Sequence, residues 1–158
     1  MSHVRPRPLQ RSAAARARSS RLVGWARDPG TVHPAAGVAR VAAGLVFLGF
    51  GPGKFLHHAA EASAFARYGV PFPDAATYAV GTLEIVGGIA LIAGLLVRPV
   101  ALALAANLLV AVATAGRIDG GVVHLGVAPA LIAVLVALAL VGSGPRSLDR
   151  RLATREAA

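Results

Sequence analysis

The sequence predicts an all-α protein, a four-helix transmembrane bundle with both termini in the cytoplasm. Three observations support this fold class: a mean hydropathy of +0.65 with 56% hydrophobic residues, four long apolar segments, and basic residues gathered near the two chain ends. This composition is too apolar for an ordinary soluble domain. Lipid offers the backbone no hydrogen-bond partners, so the segments should be helices, and the sequence lacks the alternation of a membrane β-barrel.

The apolar segments place the predicted spans near residues 37–56, 75–96, 99–115 and 122–142. A spanning helix needs about 20 residues, and the third segment, with 17, lies at the lower limit. Within the first span, a Gly-Pro-Gly triplet at 51–53 should bend or break the helix just before Lys54. The connection after it is long enough for a further helix, which should stop at Gly69.

The placement of basic residues predicts the orientation. An even number of spans puts both termini on one side, and 13 of the 16 Lys and Arg residues then lie on that side, which should be cytoplasmic. Residues 1–36 are predicted to form a disordered Arg-rich cytoplasmic tail, and residues 143–158 a basic cytoplasmic tail. The N-terminal tail is interpreted as a topology signal. Two alternatives remain for it: a segment that lies on anionic lipid, and an organellar transit peptide.

Composition and motifs exclude several classes of function. The sequence has no cysteine, which excludes disulfides, thiolate metal sites and any cysteine-based cofactor within this chain. Its basic residues are not interleaved with base-stacking aromatic residues, so nucleic acid is not an expected partner. Phosphate-binding loops, dinucleotide-binding motifs and serine elbows are also missing from the sequence.

Glu84 is the most informative residue, because it is the only charged residue in the apolar run 75–96. A carboxylate at this depth costs about 2.5–3.5 kcal/mol on insertion scales, so it needs a partner, a proton or a task. Gly81 and Gly88 lie three and four residues away, on the same helix stripe. Small residues on that stripe allow another helix to approach, and the stripe should therefore face protein rather than lipid.

Two other polar residues are candidates to reach Glu84. Asn107 should lie at a similar depth in the third span, and its amide can donate to a carboxylate. Lys54 and Arg40 lie towards opposite ends of the first span, and Lys54 is favoured because the predicted break loosens its backbone. Glu84, Lys54 and Asn107 then form either a proton- or ligand-handling site or a polar network that fixes helix pairing.

A second polar cluster follows the first span. His57 and Glu61 are four residues apart, with His58 beside them, and His124 opens the fourth span on the same side. These residues are weak metal-ligand candidates, because imidazole and carboxylate groups bind transition metals. The alternative is interfacial histidines without a ligand. No spacing matches a specific metal motif, so the sequence predicts no metal site.

A longer pattern of glycine, aromatic and charged positions crosses the first three spans. It reads Arg40-x3-Gly44-x2-Phe47-x3-Gly51-x2-Lys54, then Phe65-x2-Tyr68-Gly69-Val70-Pro71-x-Pro73, then Leu83-Glu84-x2-Gly87-Gly88, then Gly94-Leu95-x2-Arg98. In the order and spacing of these positions, residues 37–115 resemble the DoxX family of small bacterial membrane proteins. The fourth span resembles the family only in being apolar.

The resemblance implies a multi-pass four-helix protein of the bacterial inner membrane. It also implies a link to redox chemistry, since the family is related to the membrane subunit of a thiosulfate:quinone oxidoreductase and some members associate with oxidative-stress enzymes. Arg40, Lys54, Glu84 and Arg98 match the family's characteristic charged positions. Arg40 and Arg98 are interpreted as structural charges, and no catalytic role follows from the match.

The function we expect is a membrane subunit or anchor of a quinone-linked redox or oxidative-stress system, without catalysis of its own. Its partners would be the lipid bilayer, a redox protein and other copies of the chain. Its ligand would be a quinone, whose headgroup would contact Glu84. Two alternatives remain: a small oligomeric transporter or permeation protein, and a structural membrane protein whose basic tails recruit a partner.

Overall fold

The computed structural model describes residues 23–26, 28, 30 and 33–156. Within them, four helices are long and apolar enough to cross a membrane: Pro34–Leu56, Pro73–Ala93, Val97–Ile118 and Val123–Val141, the first to fourth spans below. The all-helical fold with four spans is therefore confirmed. The side of the membrane that the termini face stays a prediction. The expected disorder of residues 1–36 falls mostly on residues outside the described part.

Within residues 33–156, the spans and their connections contain seven α-helices, a π-helical turn opens the fourth span, and an eighth α-helix follows that span. The helices are α1 (Pro34–Phe50), α2 (Gly53–Leu56), α3 (His58–Arg67), α4 (Pro73–Ala93), α5 (Val97–Ala113), α6 (Ala115–Ile118), α7 (Ala128–Val141) and α8 (Leu148–Glu156).

The first span is interrupted where the sequence predicts. His33 caps α1, since its Nδ1 accepts a hydrogen bond from the Ala35 N–H at 3.3 Å, and a proline occupies the first helical position. α1 ends at Phe50, residues 51 and 52 form a turn, and α2 resumes at Gly53. The Gly-Pro-Gly triplet thus breaks the helix, as expected.

The helix of the first connection, α3, ends at Arg67, and Gly69, two residues later, is the stop that the sequence predicts. This residue has a φ of 76°, a left-handed conformation that glycine adopts without a steric penalty. The Val70 N–H donates to the Phe65 carbonyl at 3.0 Å and the Gly69 N–H to the Ala66 carbonyl at 3.0 Å. These bonds satisfy carbonyls at the helix end, and the chain then turns towards the second span.

The third span is longer than the sequence predicts. α4 ends at Ala93 because Gly94 adopts a left-handed φ of 72°, and α5 already begins at Val97. At the far end, α6 continues the span to Ile118, so it has 22 residues instead of the expected 17 at 99–115.

The fourth span begins with the π-helical turn Val123–Val127. Pro129 follows as the second residue of α7. A proline ring inside an α-helix clashes with the carbonyl four residues earlier, and a π-helical turn widens the backbone there.

The bundle is held by two close helix pairs, α1 against α4 and α5 against α7. The α1–α4 pair crosses at glycines: a Cβ added to Gly44 would lie 2.6 Å from the Gly88 carbonyl oxygen, and one added to Gly88 would lie 2.9 Å from the Gly44 oxygen. Only glycine permits this approach, so the predicted small-residue stripes do face each other. In the half of the bundle that contains the chain ends, the core is filled by fully buried leucines, Leu91, Leu104 and Leu135.

Candidate functional site

The first and second spans pack closely at glycines, and this close packing places Lys54 beside Glu84. A Cβ added to Gly51 would lie 3.2 Å from the Glu84 Cβ, and one added to Gly81 would lie 3.0 Å from the Lys54 Cβ. The turn at residues 51 and 52 lies directly before the lysine. The broken helix and the small residues on its partner together place an ammonium group against a carboxylate inside the bundle.

The Glu84 carboxylate has one donor on each oxygen. Lys54 Nζ donates to Oε2 at 2.8 Å, and Asn107 Nδ2 donates to Oε1 at 3.4 Å. The side chains of Lys54 and Glu84 are 13% and 7% exposed. The structure therefore brings together the three residues singled out from the sequence, while their role in handling a proton or a ligand stays a prediction.

These polar groups line a cavity of about 400 Å³. Its walls come from the second half of the first span, α3, the first half of the second span, the second half of the third span and the start of the fourth. Most lining residues are apolar, including Phe47, Phe50, Leu108 and Leu131. Apolar walls with a few convergent polar groups are typical of small-molecule sites.

α3 covers the cavity from the side of the first connection. Its residues Glu61, Ala64 and Phe65, with Tyr68 just after it, contribute to the lining. The Tyr68 hydroxyl donates a hydrogen bond to the Asp119 carboxylate, which ties the end of α3 to the connection before the fourth span. This bond, with burial adding to it, raises the pKa of Tyr68 above its ordinary value of 10.0.

Arg67 adds an ion pair to the same carboxylate. Its Nη2 lies 3.5 Å from Asp119 Oδ2, and both side chains are exposed. An exposed pair of this kind contributes little on its own. Together with the Tyr68 hydrogen bond, however, it defines one polar contact that holds the cover in place.

The second polar cluster of the sequence is divided between different contacts. The His58 ring stacks on Tyr78 with centroids 4.1 Å apart, and its Nδ1 lies 4.0 Å from Asp74 Oδ1. Glu61 and His124 instead line the cavity, where His124 Nδ1 lies 3.2 Å from the Gly120 carbonyl oxygen.

No metal-binding arrangement is formed by these residues. His57, the cap residue between α2 and α3, is exposed. Throughout the described residues, no group of three or more His, Asp or Glu side chains is placed to hold a metal ion.

Arg40 and Arg98 lie in the other half of the bundle, near the chain ends. Arg40 Nη1 donates to the Leu91 carbonyl at 2.7 Å and also to that of Ile92. Arg98 Nη1 donates to the Ala139 carbonyl at 3.3 Å, and its Nη2 pairs with Asp28 Oδ2 at 2.9 Å. Both arginines therefore bind carbonyl groups near the ends of helices, while the structural role inferred for them stays a prediction.

Asp149, which completes this end of the bundle, is a residue that the sequence analysis does not single out. It lies in the segment interpreted only as a basic tail, yet it is 2% exposed. Its two carboxylate oxygens accept from the Leu96 and Val97 N–H groups at 2.8 and 3.2 Å, which caps the start of α5. The available signal was weak: one of two acids after the last apolar segment, directly followed by two arginines.

A comparison with protein families agrees with the arrangement of helices and charges. The model of the family described as DoxX matches residues 35–117, which is more than half of the chain. The chain belongs to the DoxX family. The matched part of this DoxX protein contains Arg40, Lys54, Glu84 and Arg98, and it ends before the fourth span. Comparisons with curated proteins and with solved structures each found no match.

Proposed function

We propose that this DoxX protein is the membrane subunit or anchor of a quinone-linked redox system, and that it binds a quinone headgroup in the cavity beside Glu84. The observation that carries the proposal is the meeting of Lys54, Glu84 and Asn107 in the lining of one apolar cavity. Electrons would come from a partner redox protein, because the sequence lacks cysteines and offers no redox group of its own.

The donors in the cavity suit a quinone carbonyl. An ammonium group has three N–H donors and a carboxamide has two. Lys54 and Asn107 each direct a donor at Glu84, so each retains N–H groups for a ligand oxygen. Apolar walls would hold the ring and exclude water, and the carboxylate would keep both donors in position. The volume of about 400 Å³ falls within the range of small-molecule sites, roughly 300–1,000 Å³.

A binding site is better supported than a permeation pathway. The cavity is confined to the half of the bundle beneath α3. In the other half, the fully buried residues Leu91, Leu104 and Leu135 fill the space between the helices. A pathway through one copy would have to cross this packed region.

The test is quinone binding by the full chain in lipid vesicles. Glu84→Gln retains the shape of the side chain but removes the charge that pairs with Lys54. It should weaken binding of a ubiquinone analogue by about tenfold, because the donors lose their charged acceptor. Asp74→Asn, at a carboxylate that is 80% exposed, is the control and should bind as the wild type does. Wild-type binding in Glu84→Gln, or substrate flux through vesicles without any partner, would contradict the proposal.

A further inference from the structure

We propose that the cavity is filled sideways from the bilayer, through the gap between the first and fourth spans, and that its ligand is a membrane-dissolved quinone whose apolar tail leaves between Phe50 and Val127. This inference rests on the proposed function and extends it, because it specifies the class of quinone and the route by which it enters.

The rim of the cavity between these two spans faces outwards. Phe50 on the first span and Val127 on the fourth both line the cavity, and they are 49% and 42% exposed. The outward surface of a spanning helix contacts lipid, so side chains that are both exposed and cavity-lining connect the cavity with hydrocarbon. Val123, one turn before Val127, is also exposed and cavity-lining.

The first and fourth spans pack against each other through α1 and α7, whereas the π-helical turn Val123–Val127 has little contact with the first span. The first span approaches the second through the Gly44–Gly88 crossing, and the third and fourth share the Leu104–Leu135 core. No such crossing joins the first and fourth spans beneath α3. A Cβ added to Gly126 would meet, among the described residues, only Val122, which directly precedes the fourth span, at 3.7 Å.

The aqueous side of the cavity is covered. α3 lies over it with Ala64 and Phe65, and the contact between Tyr68 and Asp119 holds that cover to the far connection. The lateral rim is therefore apolar, whereas the side towards water carries α3 and the polar contact between Tyr68 and Asp119. A ligand dissolved in lipid meets the open side.

Size also favours a ligand with a tail outside the cavity. About 400 Å³ lies at the small end of ligand sites, which is enough for a ring and the first part of a tail. The rest of a long isoprenoid tail would extend into lipid. Its burial in hydrocarbon requires an exit at membrane depth, which the rim beside Phe50 and Val127 supplies.

The experiment compares a long-tailed quinone with a tailless one in vesicles that contain the full chain. Val127→Trp narrows the rim, and it should weaken binding of the long-tailed quinone by about tenfold while leaving that of the tailless one unchanged. Val136→Trp is the matched control, since Val136 lies on the same span with 41% exposure and does not line the cavity. It should bind both quinones as the wild type does.

A second variant adds the bulky group only after the chain has folded. The sequence has no native cysteine, so Phe50→Cys can be folded first and then labelled specifically with a bulky lipid-soluble maleimide. The label should block the long-tailed quinone selectively, whereas a label on Leu45→Cys, an exposed position outside the lining, should not.

The outcomes separate the two proposals. A wild-type chain that binds neither quinone overturns the proposed function and the lateral route with it. A wild-type chain that binds both, with Val127→Trp and labelled Phe50→Cys equal to their controls, overturns the lateral route alone. Equal loss of both quinones in the rim variants also contradicts the route, because a tail exit should not affect a tailless ligand.

Discussion

The two halves of the bundle both bury charged side chains, but they satisfy these charges in different ways. Near the chain ends, Arg40, Arg98 and Asp149 bind backbone carbonyl and N–H groups of neighbouring helices. Beneath α3, Lys54 and Glu84 bind each other and face a cavity. A charge that caps backbone groups fixes the ends of helices. Side chains that pair with one another beside empty space retain donors for a ligand.

The largest expected effect is at the end of the bundle that contains Asp149. Asp149→Ala leaves the N–H groups of Leu96 and Val97 without their acceptor and should lower the free energy of unfolding by about 3 kcal/mol. Unfolding of the detergent-solubilised chain by a denaturing detergent measures it. Asp74→Ala, at an 80% exposed carboxylate, should change stability by less than about 0.5 kcal/mol. Equal effects would show that the C-terminal segment does not stabilise the turn before α5.

Two leucines on α5 allow the packing in the two halves of the bundle to be compared directly. Leu104 is fully buried in the core, whereas Leu108, one turn later, lines the cavity. Leu104→Ala should lower the free energy of unfolding by about 2 kcal/mol, which is at the low end for such substitutions. The reason is that lipid is as apolar as leucine, so the variant loses packing contacts but little free energy of transfer. Leu108→Ala should cost less than half as much, since the cavity already lacks contacts there. The same unfolding assay tests both, and a larger loss in Leu108→Ala would contradict the contrast between the halves.

The glycine crossing lies between Arg40 and Lys54 on the first span and connects the two halves of the bundle. Gly44→Ala places a Cβ against the Gly88 carbonyl and should cost about 1–2 kcal/mol as the helices separate. Gly49→Ala, on the same helix but with nothing described within 4 Å of the added Cβ, should stabilise by about 0.5–1 kcal/mol through helix propensity. Unfolding measurements on both variants test this prediction, which fails if the two substitutions have the same sign.

The smallest expected effect concerns the cover of the cavity. The pKa of Tyr68 is raised above 10.0 because its neutral hydroxyl donates to Asp119. The stability that this hydrogen bond contributes is therefore complete below about pH 10, and it is lost as the pH rises through the pKa of Tyr68 in the folded protein. Tyr68→Phe should remove that alkaline loss. Thermal unfolding followed against pH measures it, with Tyr78→Phe as the control that should keep the loss. An unchanged pH profile in Tyr68→Phe would show that the contact does not hold α3.

Much of the candidate site could be predicted because the hydrocarbon of the membrane restricts where charged side chains can lie. A carboxylate in an apolar span must face protein, and helical rise places Asn107 at its depth, so the Glu84–Asn107 contact follows from position along the chain. Lys54 was favoured over Arg40 because of the break before it, and the structure pairs it with Glu84. Each of these inferences used local spacing along one or two helices.

The cavity itself could not be predicted, because it depends on where five separate segments leave space. Glu61 and His124 appeared only as weak metal candidates, yet they line the cavity with Lys54 and Glu84. Tyr68 enters the sequence analysis only as one position of the family pattern, and its contact with Asp119 spans 51 positions in the sequence. Voids and long-range contacts depend on the relative placement of helices, which spacing within a helix does not specify.

By itself, the sequence determined four spans, the break in the first of them, the stop after α3 and the inward-facing stripe with Glu84. The reason is that lipid forces each span to satisfy its own backbone and to turn its charges inwards. Only the tertiary structure decided that one half of the bundle is filled and the other hollow, and that Asp149 returns from the C-terminal segment to cap α5. These features arise from packing between helices, where small differences in side-chain volume and helix approach decide whether space closes.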